Sequence, residues 1–161
     1  MSAFAQEREE SEEASIALST ADASPGGVGY LSLRFESSDR VPAIQQIQTT
    51  VCFPGDLLEF ENFFLNQTVE AAGAEFTHHL KESDDCTRLI LQISFKAVPQ
   101  PGLLGSFEFR VNLDAPIDEV VEVKAESEFT GEEGTVATSA AYVTMGIIHP
   151  VSIFACLFYM H

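Results

Sequence analysis

Four short runs of this chain alternate apolar and polar side chains, and each is bounded by Pro, Gly or Asp/Asn-rich turn chemistry. They are residues 31–35 (Leu-Ser-Leu-Arg-Phe), 47–53 (Ile-Gln-Thr-Thr-Val-Cys-Phe), 89–95 (Leu-Ile-Leu-Gln-Ile-Ser-Phe) and 107–113 (Phe-Glu-Phe-Arg-Val-Asn-Leu). A period of two sends one side-chain set to a core and the other to water, which is how a half-buried antiparallel strand reads. Two stacked sheets would then hide Phe35, Phe53, Phe95 and Phe109 from solvent. Weaker alternation over 14–19, 120–125 and 135–145, with Ser24-Pro25-Gly26-Gly27, Pro54-Gly55-Asp56 and Pro99-Gln100-Pro101-Gly102 as stops, fills in the remaining strands. The chain is expected to be all-β, an antiparallel β-sandwich of jelly-roll type with about eight or nine strands. Residues 57–61 read as a short turn or strand, 62–80 as the least regular stretch, and 71–77 as either strand or brief helix.

At 161 residues the chain fits one domain, and a domain of this size buries roughly 70% of its unfolded surface. The net charge is −17, from 25 acidic residues against 8 basic ones. That balance repels phosphate backbones and anionic headgroups, so nucleic acid and membrane surfaces are poor partners. Phe supplies 13 of the aromatics and there is no Trp, which weakens a sugar-stacking platform.

The ends differ from the middle. Residues 1–13 read as an acidic disordered tail. Within it, Ala3-Phe4-Ala5 has the small-x-small form that precedes a signal-peptidase site, so the stretch reads either as the remnant of an export cleavage region or as a chance match. Residues 148–161 form an apolar tail, and too few of them follow Pro150 for the roughly 20 that a membrane helix needs. Three readings stay open for that tail: a final strand with a packed extension, the stump of a truncated membrane anchor, or non-native sequence.

Candidate chemistry is sparse. His78-His79 would point to opposite faces of a strand and could not readily share a metal, so they read as surface histidines. Glu82, Asp84 and Asp85 read as a solvated turn, although clustered oxygens are what Ca²⁺ takes. Asn66-Gln67-Thr68 fits a glycosylation sequon. No nucleophile elbow, phosphate loop or dinucleotide fingerprint is present, and no cofactor, metal or catalytic residue is expected. Cys52 and Cys86 are either a bridge closing a loop of about 35 residues or two unbonded cysteines, and Cys156 has no evident mate.

The order of the pieces resembles the cohesin family, the jelly-roll modules of bacterial scaffolding proteins that bind dockerin domains. The resemblance is carried by Ser24-Pro25-Gly26 before the strand at 31–35, by Val51-Cys52-Phe53-Pro54-Gly55-Asp56-Leu57-Leu58-Glu59-Phe60, and by Gly102-Leu103-Leu104-Gly105-Ser106-Phe107-Glu108-Phe109-Arg110-Val111. It spans about residues 14–147, with Phe53 running straight into Pro54 where the family usually carries an acid. It implies a non-catalytic, exported bacterial protein, extracellular or at the cell surface. Its work would be attachment to a dockerin-like protein partner, or scaffolding in a polysaccharide-associated assembly. Alternation puts Gln46, Gln48 and Thr50 of one strand and Arg88, Gln92 and Ser94 of another on the outward side, and these six are the expected partner-binding residues. The alternative function is a self-assembling surface or appendage protein that adds strands at exposed edges.

Overall fold

The computed structural model describes residues 14–37 and 43–149. The acidic stretch 1–13, and the apolar tail from Pro150 onward with Cys156, lie outside the described residues.

Ten strands and one helical turn make up the described chain. In order they are β1 (Ala14–Leu18), β2 (Ala21–Ala23), β3 (Val28–Ser37), β4 (Gln46–Phe53), β5 (Leu58–Leu65), α1 (Gln67–Ala71), β6 (Glu75–Glu82), β7 (Thr87–Ser94), β8 (Gly102–Val111), β9 (Glu119–Gly131) and β10 (Gly134–Ile147). They form a four-stranded sheet, β1-β3-β8-β5, packed on a six-stranded sheet, β2-β10-β9-β4-β7-β6. The all-β sandwich expected from alternation is the observed class. The strand count exceeds the expected eight or nine because β2, only three residues long, carries no alternation to reveal it. The pairing is antiparallel throughout except for β2 against β10, which is parallel.

Each alternating run does what its period requires within its strand, whereas Leu113, beyond the end of β8 at Val111, is exposed. In β3, Leu31, Leu33 and Phe35 are buried while Tyr30 and Arg34 face water. In β4 and β7, Ile47, Val51, Phe53, Leu89, Leu91 and Ile93 point inward. Phe107, Phe109 and Val111 do the same from β8. Phe53 and Phe109 meet edge-on across the two sheets at 4.9 Å between ring centres, and Phe35 meets Phe129 at 5.8 Å. Phe95 departs from expectation. It follows the last residue of β7 and is only partly buried, beside a cleft of about 340 Å³ between α1 and the β7–β8 connection.

Two local devices shape the four-stranded sheet. The turn into β3 is closed by the Gly27 N–H donating to the Ser24 carbonyl at 2.8 Å, with Gly26 at φ +83°. Pro25 followed by a positive-φ Gly is the sequence that a type II turn demands. In β8, a Cβ on Gly105 would run into the Phe63 ring and the Phe64 carbonyl, so glycine there lets β5 and β8 approach.

Residues 58–65 and 75–82 form strands although their alternation is poor, and a seam of rings explains it. Phe63 meets Phe76 at 5.1 Å and Phe107 at 5.0 Å, and the Phe60 ring meets His78 at 5.2 Å. The seam closes the side of the sandwich where β5 and β6 are edge strands. Between them the chain crosses sheets through α1, capped by Asn66 Oδ1 accepting from the Thr68 N–H at 3.0 Å.

Candidate functional site

On both outer faces of the sandwich some polar side chains bond to one another. On the four-stranded sheet, the Tyr30 hydroxyl donates to Glu108 at 2.7 Å and the Asn62 amide donates to the same carboxylate at 2.8 Å. Arg110 donates to Glu61 at 3.1 Å and to the Gly26 carbonyl at 2.7 Å. The hydrogen bonds from Asn62 and Tyr30 hold the Glu108 carboxyl below its ordinary range, and the same Glu108 bond raises the Tyr30 hydroxyl. A lowered carboxyl favours the fold at pH values above the ordinary carboxylate range and loses that contribution as pH falls through the lowered value. NMR titration of the side-chain carboxyls is therefore expected to place Glu108 below the exposed glutamates, and Asn62→Ala to move it upward.

The outer face of the six-stranded sheet is a broad array of part-exposed polar residues, with a groove lined by Gln48, Thr50, Glu126, Glu128 and Thr138. Register places residues of four strands in transverse rows. Ser94 lies opposite both Gln46 and Glu75, and Gln92 lies opposite both Gln48 and Thr77. Ile90 lies opposite Thr50 and His79, and Arg88 opposite Cys52 and Lys81. On the far side of β4, strand β9 adds Thr130, Glu128, Glu126 and Lys124 to the same four rows. All six residues expected at a partner surface, Gln46, Gln48, Thr50, Arg88, Gln92 and Ser94, thus share one face and lie on neighbouring strands.

Within this face the Gln92 amide donates to Gln46 Oε1 at 3.0 Å, and Lys124 pairs with Glu126 at 3.5 Å. The Tyr142 hydroxyl and the Glu126 carboxylate raise the Lys124 ammonium above its ordinary range, and its charge also sits 5.4 Å from the Tyr142 ring centre. Beneath the face, on its inward side, the buried Thr49 and Ser127 hydroxyls share a 2.7 Å hydrogen bond between β4 and β9. That bond satisfies two buried polar groups with each other and ties the two central strands together.

Cys52 and Cys86 are joined by a disulfide, with 5.7 Å between their Cα atoms. The strands concerned do not meet across the sandwich. They are neighbours in one sheet, and the bridge lies at the end of the open face. His78 and His79 sit on opposite faces of β6, as adjacent strand residues must: His78 joins the ring seam while His79 lies on the open face. Among the described residues no group of His, Cys, Asp and Glu is placed to hold a metal, and no helix is long and apolar enough to cross a membrane.

The sequence reading missed the contributions of β9 and β6 to this face. In β9 the series Glu122, Lys124, Glu126, Glu128 alternates with Val121, Val123, Ala125 and Phe129, but the inward Ser127 breaks the apolar set and hides the strand's second half. In β6, Thr77, His79 and Lys81 lie on an edge strand exposed on nearly every residue, where alternation carries no signal.

Two packed layers of almost wholly antiparallel strands define an all-β jelly-roll sandwich. Comparison with solved structures makes it a cohesin-like one. The third ScaC cohesin of Acetivibrio cellulolyticus, solved with a ScaB dockerin, superposes with a TM-score of 0.69 at 12% identity, over 84% of this chain and 99% of that one. The OlpA cohesin of Clostridium thermocellum, solved as a type I cohesin–dockerin complex, gives 0.67 at 14% identity, over 85% and 100%. A non-cellulosomal cohesin from the archaeon Archaeoglobus fulgidus gives 0.62 at 17% identity, over 83% and 91%. No protein-family model matches the sequence, and no curated protein does. At these identities it is the fold that is shared.

Proposed function

We propose that the chain is a non-catalytic binding module that holds a dockerin-like protein partner on the open face of its six-stranded sheet. The observation that carries the reading is the in-register array of part-exposed polar side chains across β6, β7, β4 and β9. Among the described residues Gln48, Thr50 and Ser94 have no side-chain hydrogen bond, and they stand in register around the Gln46–Gln92 pair. A broad, polar, part-exposed sheet face with a braced centre suits recognition of another surface better than enclosure of a small molecule. The cohesin-like fold supports the same reading, as do the dockerins bound to several of its structural neighbours. The Cys52–Cys86 bridge supports an oxidising, extracytoplasmic setting, in which a scaffold of a polysaccharide-associated assembly would work. The charged residues Glu75, Lys81 and Glu82 along edge strand β6 guard against strand addition, which favours the module over the self-assembling alternative.

The test is capture of purified dockerin modules by the full chain. Wild type is expected to retain at least one of them. Gln48→Ala combined with Gln92→Ala should weaken retention by about tenfold, equivalent to about 1.4 kcal/mol lost at the centre of the interface. Capture that survives the double substitution unchanged would remove this face from consideration.

A further inference from the structure

One in-register row at the end of the open face carries more positive charge than the composition leads one to expect. Lys81 of β6 lies opposite Arg88 of β7, Arg88 opposite Cys52 of β4, Cys52 opposite Lys124 of β9, and Lys124 opposite Tyr142 of β10. Three of the chain's 8 basic residues stand in this line, in a chain with 25 acids. Like charges directly opposite in a sheet destabilise it. Lys81 and Arg88 are so placed, and among the described residues neither has an ion pair. An acid at either position would relieve the repulsion, and this chain is rich in acids. Edge protection accounts for Lys81, but not for an arginine placed directly opposite it.

We propose that the row receives a line of carboxylates carried on the docking helix of a protein partner. The inference rests on the reading of this face as partner-binding and adds the partner's chemistry. Adjacent strands lie about 4.8 Å apart, so Lys81, Arg88 and Lys124 stand at about 0, 5 and 14 Å along the row. A helix rises 1.5 Å per residue with 3.6 residues per turn, so acids at i, i+3 and i+10 recur at about 4.5 and 15 Å within about a quarter of its circumference. A helix laid across the strands matches the three cations with three side chains of one face.

Two further features shape the contact. Cys52 sits between Arg88 and Lys124, and its bridge to Cys86 ties β4 to the start of β7 beside this row without adding charge. The stripe is also narrow. Glu126 occupies the neighbouring row on one side, while Glu122 and Asp85 border the bridge on the other. A uniform polyanion, whether nucleic acid or an anionic membrane, would meet all of those acids, whereas a single line of carboxylates meets Lys81 and Arg88 directly and competes only with Glu126, 3.5 Å from Lys124, for the third cation.

The experiment uses the full chain, labelled with nitrogen-15, and two synthetic helical peptides at low salt. The peptides differ only at positions 1, 4 and 11, which are glutamate in one and lysine in the other. The glutamate peptide is expected to shift the amides of Lys81, Arg88 and Lys124, and to bind at least tenfold more weakly to Arg88→Glu combined with Lys124→Glu. Arg88→Gln, which removes a charge without reversing it, should weaken binding in the same direction. The amide spectrum away from the row reports that each variant is folded. The proposal is overturned if the lysine peptide moves the row as well as the glutamate peptide does, or if the glutamate peptide leaves it unmoved. Dockerin capture reports independently. Failure to capture dockerin with the peptide result standing removes the dockerin reading and keeps the cation row, and the reverse pattern removes only the row.

Discussion

Phe109→Ala is expected to destabilise the protein by about 4 kcal/mol, within the range of roughly 3–5 for removing a buried aromatic ring. Thermal unfolding should fall by about 10 °C or more. The ring is fully buried in β8 and packs on Phe53 at 4.9 Å, Phe60 at 5.9 Å and Phe107 at 6.4 Å. Phe53 belongs to the opposite sheet, so truncation opens a cavity where the two layers meet. It also removes tilted and edge-on ring pairs that contribute about 0.5–1.5 kcal/mol each beyond area burial. Urea unfolding measures the loss, with Tyr142→Ala as the exposed control expected to change stability by no more than about 0.5 kcal/mol. A loss below about 1 kcal/mol for Phe109→Ala would mean that the sheets are not held together at this ring.

Removing the disulfide is the second large effect. Cys52→Ala combined with Cys86→Ala should cost about 4 kcal/mol in the chain-entropy account, given a separation of 34 residues. The mechanism lies in the unfolded chain, which the bridge keeps compact. The double variant should therefore show a steeper dependence of stability on denaturant as well as a lower midpoint. Reductant should lower the stability of the wild type by the same amount and leave the variant unchanged. Strand β6 lies inside the closed loop, buries little and pairs only with β7. Its amides should be the first to lose hydrogen-exchange protection once the bridge is gone. Equal stability of bridged and unbridged protein would assign the bridge no part in holding β4 to β7.

The legible part of the fold was the part written in local alternation. β3 and β4 contain two of the four alternating runs whole, and β7 and β8 contain the other two but for their last one or two residues, since a period of two is imposed by the pleat and needs no knowledge of neighbours. The inward positions of Phe35, Phe53 and Phe109 follow from the same rule. Phe95 escaped it because the strand ends at Ser94, after which parity no longer governs where a side chain points. β5 and β6 escaped it because rings from the two edges, Phe60, Phe63, Phe76 and His78, make their own packing, and that contact exists only once the sheets are stacked.

The candidate site divides in the same way. That Gln46, Gln48, Thr50, Arg88, Gln92 and Ser94 face outward was readable from parity alone. That they share a face with Lys124 and Glu126 on one side and Thr77 and Lys81 on the other was not. The sequence also left Cys52 and Cys86 open between bridge and free thiols. Their bonding follows from β4 and β7 lying side by side, which 34 residues of intervening chain conceal.

By itself, the order of residues decided which side chains go inside, because burial along a strand repeats with the backbone's own two-residue period. Only the tertiary structure decided which outward side chains stand beside one another. Strand order and register are set by contacts between distant segments, and the row of Lys81, Arg88, Cys52 and Lys124 exists because four such segments were brought into line.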